Sequence, residues 1–168
     1  MDVLGKLRKA RILVVDDEEL VRSVFVQALR IWGYEVNEFD TAEKALLELK
    51  HEHYDIALTD LMMPGHDGLW LLQEVQRLSD APNVIIISGH GDVQLAIHSL
   101  THGAFDFLIK PVDLPYLKRK IESALDYRLM REEMKRHTEL LEEVAIRERR
   151  KSQEIFLSAI DALIRALE

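Results

Sequence analysis

The sequence predicts an α/β fold, a doubly wound five-stranded parallel sheet followed by a long helical extension. Three observations carry this. Four short apolar runs, at 12–15, 56–58, 84–87 and 107–109, are rich in β-branched residues and lead into charged or hydroxyl residues: Asp16 and Asp17, Asp60, Ser88 and Lys110. Such runs are the mark of strands buried on both faces. The gaps between them hold apolar residues at helical spacing. After Pro115 the chain has neither Gly nor Pro through Glu168 and is full of strong helix formers.

The elements follow in order. Val21, Val24, Phe25, Ala28, Leu29 and Trp32 share one face of a first helix, which Gly33 closes. Residues 34–39 make a strand of mixed character. Ala42, Ala45, Leu46 and Leu49 repeat the helical spacing, with Thr41 as N-cap. Gly68, Leu71, Leu72 and Val75 form a third stripe, ended before Ala81-Pro82. Val93, Ala96, Ile97 and Leu100 form a fourth, ended at Gly103, and Leu114, Leu117, Ile121 and Leu125 open a fifth. Strand and helix thus alternate five times, which implies right-handed crossovers and a sheet covered on both faces. The order 2-1-3-4-5 suits this length and sets the first and third strands side by side at the switch point.

Composition narrows the function. The chain has 168 residues, room for one ordinary domain plus an extension, and 48% are hydrophobic. A net charge of −8 argues against nucleic-acid binding by the chain as a whole. There is no cysteine, so disulfides and thiolate chemistry are excluded. No apolar run reaches membrane-spanning length and the N-terminus lacks the apolar core of a signal peptide, so the expected compartment is the cytoplasm.

A parallel sheet gathers its strand ends on one edge. Asp16, Asp17 and Asp60 meet there with Ser88 and Lys110. Crowded carboxylates repel one another unless a cation neutralises them. A hard divalent ion with oxygen ligands, Mg²⁺ above all, answers this. One carboxylate is then left as a phosphoryl acceptor, with Lys110 as its charge partner.

The motifs VVDDEE, LTDLMMPGHDG, IIISGHGD and FDFLIKP, in that order, resemble the receiver domain of two-component response regulators over residues from about 10 to 127. The resemblance implies a flavodoxin-like sheet and a domain division at 1–127 and 128–168. It makes Asp60 the phosphoacceptor. Mg²⁺ would be held by Asp17 directly, by Asp16 partly through water, by Asp60 and by the backbone carbonyl of Met62. Ser88 and Lys110 would bind phosphoryl oxygens, and the Lys110-Pro111 bond would be cis. Ser88 and Phe107 would form the switch, Ser88 moving toward the phosphoryl group and Phe107 turning into the space it leaves. The implied phosphodonor is a sensor histidine kinase.

Some positions stand apart. His66 lies where the family more usually has a large apolar residue. His90 occupies a variable position that influences the lifetime of the phosphorylated state. His98 and His102, four apart on one helix, are expected to be exposed rather than metal-bound. Trp70 lies off the apolar stripe of its helix, and is expected to fold back over the Pro64-Gly65 loop or else to mark a contact surface.

In the tail, Met130, Met134, His137, Leu141 and Val144 alternate by four and three, the spacing of a coiled-coil seam. Glu148 and Lys151 interrupt it. The expectation is a homodimer through a parallel helix pair, the other reading being a helix folded back on its own receiver. The last segment, IFLSAIDALIRAL, is apolar over most of its circumference and reads as the start of an output domain. It is similar to the helix that precedes the catalytic part of HD-GYP cyclic-di-GMP phosphodiesterases, although no His-Asp or Gly-Tyr-Pro motif of that enzyme follows. The expected function is a phosphoacceptor module, not an enzyme in itself, that switches a dimerising helix. The alternatives are the regulatory part of such a phosphodiesterase or another signalling enzyme, and a constitutive dimerisation module. A haloacid-dehalogenase-like phosphatase would want an Asp two residues after its nucleophile, where Met62 stands.

Overall fold

The structure is a computed structural model that describes residues 9–89 and 93–167; His90 lies outside the described residues. The elements run β1 (Arg11–Val15), α1 (Glu19–Ile31), β2 (Glu35–Phe39), α2 (Ala42–Leu49), β3 (Ile56–Asp60), α3 (Gly68–Val75), β4 (Asn83–Ser88), α4 (Val93–Thr101), β5 (Asp106–Ile109) and α5 (Leu114–Leu167). The strands form one sheet in the order β2-β1-β3-β4-β5, every pair parallel. This is the predicted order.

The alternation of side chains along each strand divides the core in two. Leu13, Val15, Ala57, Val84 and Ile86 pack with α2 and α3 on one face. Ile12, Val14, Ile56, Leu58, Ile85 and Ile87 pack with α1 and the first turns of α5 on the other. All residues of β3 and β4 are buried, which is why those runs carry no polar alternation.

Local signals fix the helix ends. The Thr41 hydroxyl accepts the Lys44 N–H and opens α2. The Asp67 carboxylate accepts the Trp70 N–H and opens α3. Gly33 takes φ +92° just past α1, a conformation that favours glycine.

Two stripes differ from expectation. In α1, Val24 is 54% exposed, and Val26 is buried in its place beside Leu29. In α4 the expected stripe faces outward: Val93, Ile97 and Leu100 are exposed, and Ser99 is the buried residue. Helix α4 is apolar around most of its circumference, so spacing alone did not select a face. Ser99 tolerates burial because its hydroxyl donates to the Leu95 carbonyl at 2.7 Å.

The described residues fall into two compact units, divided between Arg128 and Leu129. The second unit is helical from 129 to 167 and every one of its described side chains is exposed, those of Met130, Met134, His137, Leu141 and Val144 included.

Candidate functional site

Two strand ends at the C-terminal edge of the sheet, those of β1 and β3, bring the acidic residues together. Asp16 leaves β1 with its backbone N–H bonded to the Phe39 carbonyl, and its own carbonyl accepts from Arg22 at 2.7 Å. Its carboxylate accepts the Glu18 N–H at 2.9 Å, so the turn into α1 is built around it. Asp17 follows on the exposed side of the same turn. Asp60 ends β3, paired with Ile87 of β4. One carboxylate oxygen from each of Asp16, Asp17 and Asp60 lies within 4.8 Å of the others.

Lys110 closes the group from β5. Its backbone N–H donates to the Ser88 carbonyl at 2.7 Å, which sets the ends of β4 and β5 side by side. Its ammonium lies 3.0 Å from Asp16 and 3.0 Å from Asp60. The Lys110-Pro111 bond is cis. Ser88 is fully buried at the end of β4. Phe107 pairs with Ile86, and it packs on the α2–α3 side of the sheet, the side that Ile86 faces. Ser88, two residues beyond Ile86, therefore faces the same side as Phe107.

The electrostatics are those of a cation site. Asp16 and Asp60 are nearly inaccessible, at 2% and 5% exposure. Burial pushes the Asp60 carboxyl up; Lys110 draws it down, and Asp16 and Asp17 push it up again, leaving it above the ordinary carboxylate range. Burial alone would lower Lys110, but its bonds to Asp16 and Asp60 outweigh that and raise it. Three carboxylates face one ammonium, and two of the three, Asp16 and Asp60, are poorly solvated, so two negative charges remain for a cation to balance. That donor set, all hard oxygens, fits Mg²⁺.

The loop from Leu61 to Gly68 carries Met62, whose side chain is exposed. The Gly68 N–H donates to the Leu61 carbonyl at 2.9 Å and closes the loop at its base. A Cβ on Gly68 would lie 2.3 Å from the Asp60 carbonyl oxygen, so only glycine lets α3 start this close to the end of β3. The sequence reading placed Gly68 on the apolar stripe of α3 and missed this role. Arg22, which pins the Asp16 carbonyl, was missed too, and no local pattern marks it. Trp70 does fold back over the loop: its ring stacks on that of His66, with centroids 3.8 Å apart. His98 and His102 are exposed, and among the described residues the three aspartates are the sole cluster suited to a metal.

No described helix is long and apolar enough to cross a membrane. The sequence profile of the response regulator receiver domain matches residues 12–122. The regulatory protein AtoC of Escherichia coli K12 is 34% identical over 125 residues, 74% of this chain. The chain spans only 27% of AtoC, about a quarter of that protein. A CheY-like response regulator receiver domain protein from Methanospirillum hungatei superposes with a TM-score of 0.70 at 31% identity, covering 74% of this chain and 99% of that one. The signal receiver domain of an HD domain-containing protein from Pseudomonas fluorescens Pf-5 superposes at 0.69 with 25% identity, covering 73% and 99%. Sheet order, acidic edge and profile agree: the chain belongs to the response regulator receiver domain family.

Proposed function

We propose that this chain accepts a phosphoryl group on Asp60 in a Mg²⁺-dependent reaction and that the acyl phosphate alters the dimerising helix of the second unit. The carrying observation is the buried Asp60 carboxylate, bridged by Lys110 to Asp16, with two negative charges left for a divalent ion to balance. Asp16, Asp17, Asp60 and the Met62 carbonyl would hold Mg²⁺. When bound, the ion screens the like charges of the donor and the acceptor.

The chain's own groups do the rest. A carboxylate oxygen of Asp60 attacks phosphorus, and a P–O acyl bond forms. With a phosphohistidine donor the P–N bond breaks, its electron pair leaving with the imidazole of a sensor histidine kinase. Lys110 meets one phosphoryl oxygen as a point charge and the Ser88 hydroxyl meets another. As Ser88 is drawn toward the phosphoryl group, Phe107, on the same side of the sheet, turns into the space. This is a two-state packing change biased by new charge.

In the second unit, Met130, Met134, His137, Leu141 and Val144 would form the seam with a second copy, and the receiver would comprise residues 1–127, one residue short of the division between the compact units after Arg128. The likeness to the receiver of an HD domain-containing protein favours, as second reading, the regulatory part of a cyclic-dinucleotide phosphodiesterase.

The test is intact-protein mass after incubation with acetyl phosphate. One phosphoryl group is expected with Mg²⁺, and none with a chelator or in Asp60→Asn. Phosphorylation that persists in Asp60→Asn defeats the assignment.

A further inference from the structure

His66 has no part in the chemistry above, yet both its ring and its backbone are tied down. Its Nδ1 lies 2.6 Å from the Glu43 carboxylate, and its backbone N–H donates to the same oxygen at 3.3 Å. On its other side the ring stacks on Trp70, whose own N–H is held by Asp67. Gly65, at φ +80°, leaves the opening through which Glu43 enters: a Cβ there would lie 3.1 Å from that same oxygen. Glu43 stands in the first turn of α2. That turn follows β2, whose Phe39 carbonyl accepts the Asp16 N–H.

The Glu43–His66 pair therefore joins two loops that flank the acidic cluster. One loop is anchored to Asp16 and the other carries Asp60 and Met62. The second loop is held at its base by the Gly68–Leu61 hydrogen bond, beyond Met62 by Met63, which is buried in the core, and at its tip by His66. Between base and tip lies the Met62 carbonyl. The buried side chains of Leu61 and Met63 hold the position of that peptide by packing, and hydrogen bonds at the tip limit its remaining rotation before a cation arrives.

We propose that Glu43, His66 and Trp70 form a clasp that positions the loop after Asp60 for Mg²⁺, with Glu43 and His66 as positioning residues. The inference rests on the cation site proposed above. Both side chains are half-exposed, so the clasp acts by geometry and not by buried charge.

Mg²⁺ binding to the full chain, followed by calorimetry, tests it through a double-mutant cycle. His66→Ala and Glu43→Ala should each weaken Mg²⁺ binding about fivefold, the upper range for a well-aligned exposed pair. The double variant should be no weaker than either single one. Glu43→Gln, which keeps an acceptor for the His66 ring and backbone, should recover most of the loss. In a Trp32→Phe background, Trp70 emission should change on adding Mg²⁺ with the calorimetric midpoint, and this response should vanish in His66→Ala. Unchanged affinity in both single variants, or losses that add in the double, would overturn the clasp. A chain that binds Mg²⁺ but takes up no phosphoryl group counts against the proposed function, while the cycle still decides the clasp.

Discussion

Asp60 sits where burial opposes its ionisation, and that has a consequence for stability. A carboxyl whose pKa in the fold lies above its unfolded value stabilises the fold only while protonated. This contribution is present below the unfolded pKa and is lost as pH rises through the folded one. At neutral pH the ionised Asp60 therefore weakens the metal-free fold. Asp60→Asn should melt at higher temperature than wild type in chelator at pH 7, and the gap should close as pH falls through the acid range. A lower melting temperature for Asp60→Asn at pH 7 contradicts this. Mg²⁺ should reverse the order: at tenfold its Kd the ion stabilises the wild type by about 1.4 kcal/mol. Gly68 gives a second residue-scale prediction. Gly68→Ala puts a methyl 2.3 Å from the Asp60 carbonyl oxygen, and backbone cannot yield as a side chain does. The expected cost is about 1–3 kcal/mol in urea unfolding, together with slower phosphoryl uptake. A variant with wild-type stability and uptake would show that the approach is not tight.

The elements show the clearest division between what sequence encodes and what it leaves out. β1, β3 and β4 were legible because a strand buried on both faces needs a short apolar run, and each of these leads straight into a charged or hydroxyl residue. Thr41 and Gly33 were legible because capping is local. Helix α4 was not, because its apolar residues surround it and only contact with β5 chooses Leu95 and Ser99 as the inner line. The same holds for Arg128. It continues the buried series Leu117, Ile121 and Ala124 at helical spacing, so its burial could have been inferred, but its partners lie far away in sequence. Its guanidinium donates to the Ala81 carbonyl at 2.7 Å and to Asp80 at 2.6 Å, and lies 3.5 Å from Asp55. His53 bonds both Asp55 and Asp80. Burial would raise Asp80, but His53 and Arg128 hold it below the usual range. This cluster ties α5 to the edge of the sheet opposite the aspartates, at the starts of β3 and β4. Arg128→Ala should cost about 2 kcal/mol, the loss of charged hydrogen bonds at a buried site. A change below about 0.5 kcal/mol, the range of ordinary surface substitutions, would show that the cluster is held otherwise.

For the molecule as a whole, the second unit presents apolar side chains it does not bury. Met130, Met134, Leu141 and Val144 lie along one seam, and Phe156, Ile160 and Leu163 continue the exposure beyond Glu148 and Lys151. Exposed apolar area costs about 25 cal/mol per Å², so the seam favours pairing with a second copy. The full chain should be a dimer at tens of micromolar by light scattering. A chain cut after Leu129, which keeps Arg128 and its partners, should be a folded monomer that still accepts phosphate. A monomeric full chain, or an equally tight dimer of the shortened one, removes the helix as the dimerisation element. The acidic edge was legible as a unit for a simple reason: a parallel sheet must gather its strand ends, and charges at those ends must then be neighbours. What the edge does is tested most directly by trapping the product. After phosphorylation with Mg²⁺ and acetyl phosphate, borohydride reduces an aspartyl phosphate to homoserine, and peptide mass spectrometry locates it. Homoserine at position 60 alone is predicted, absent when chelator is added. Homoserine at 16 or 17, or phosphate that resists borohydride on a histidine, would contradict the assignment of Asp60 as the acceptor.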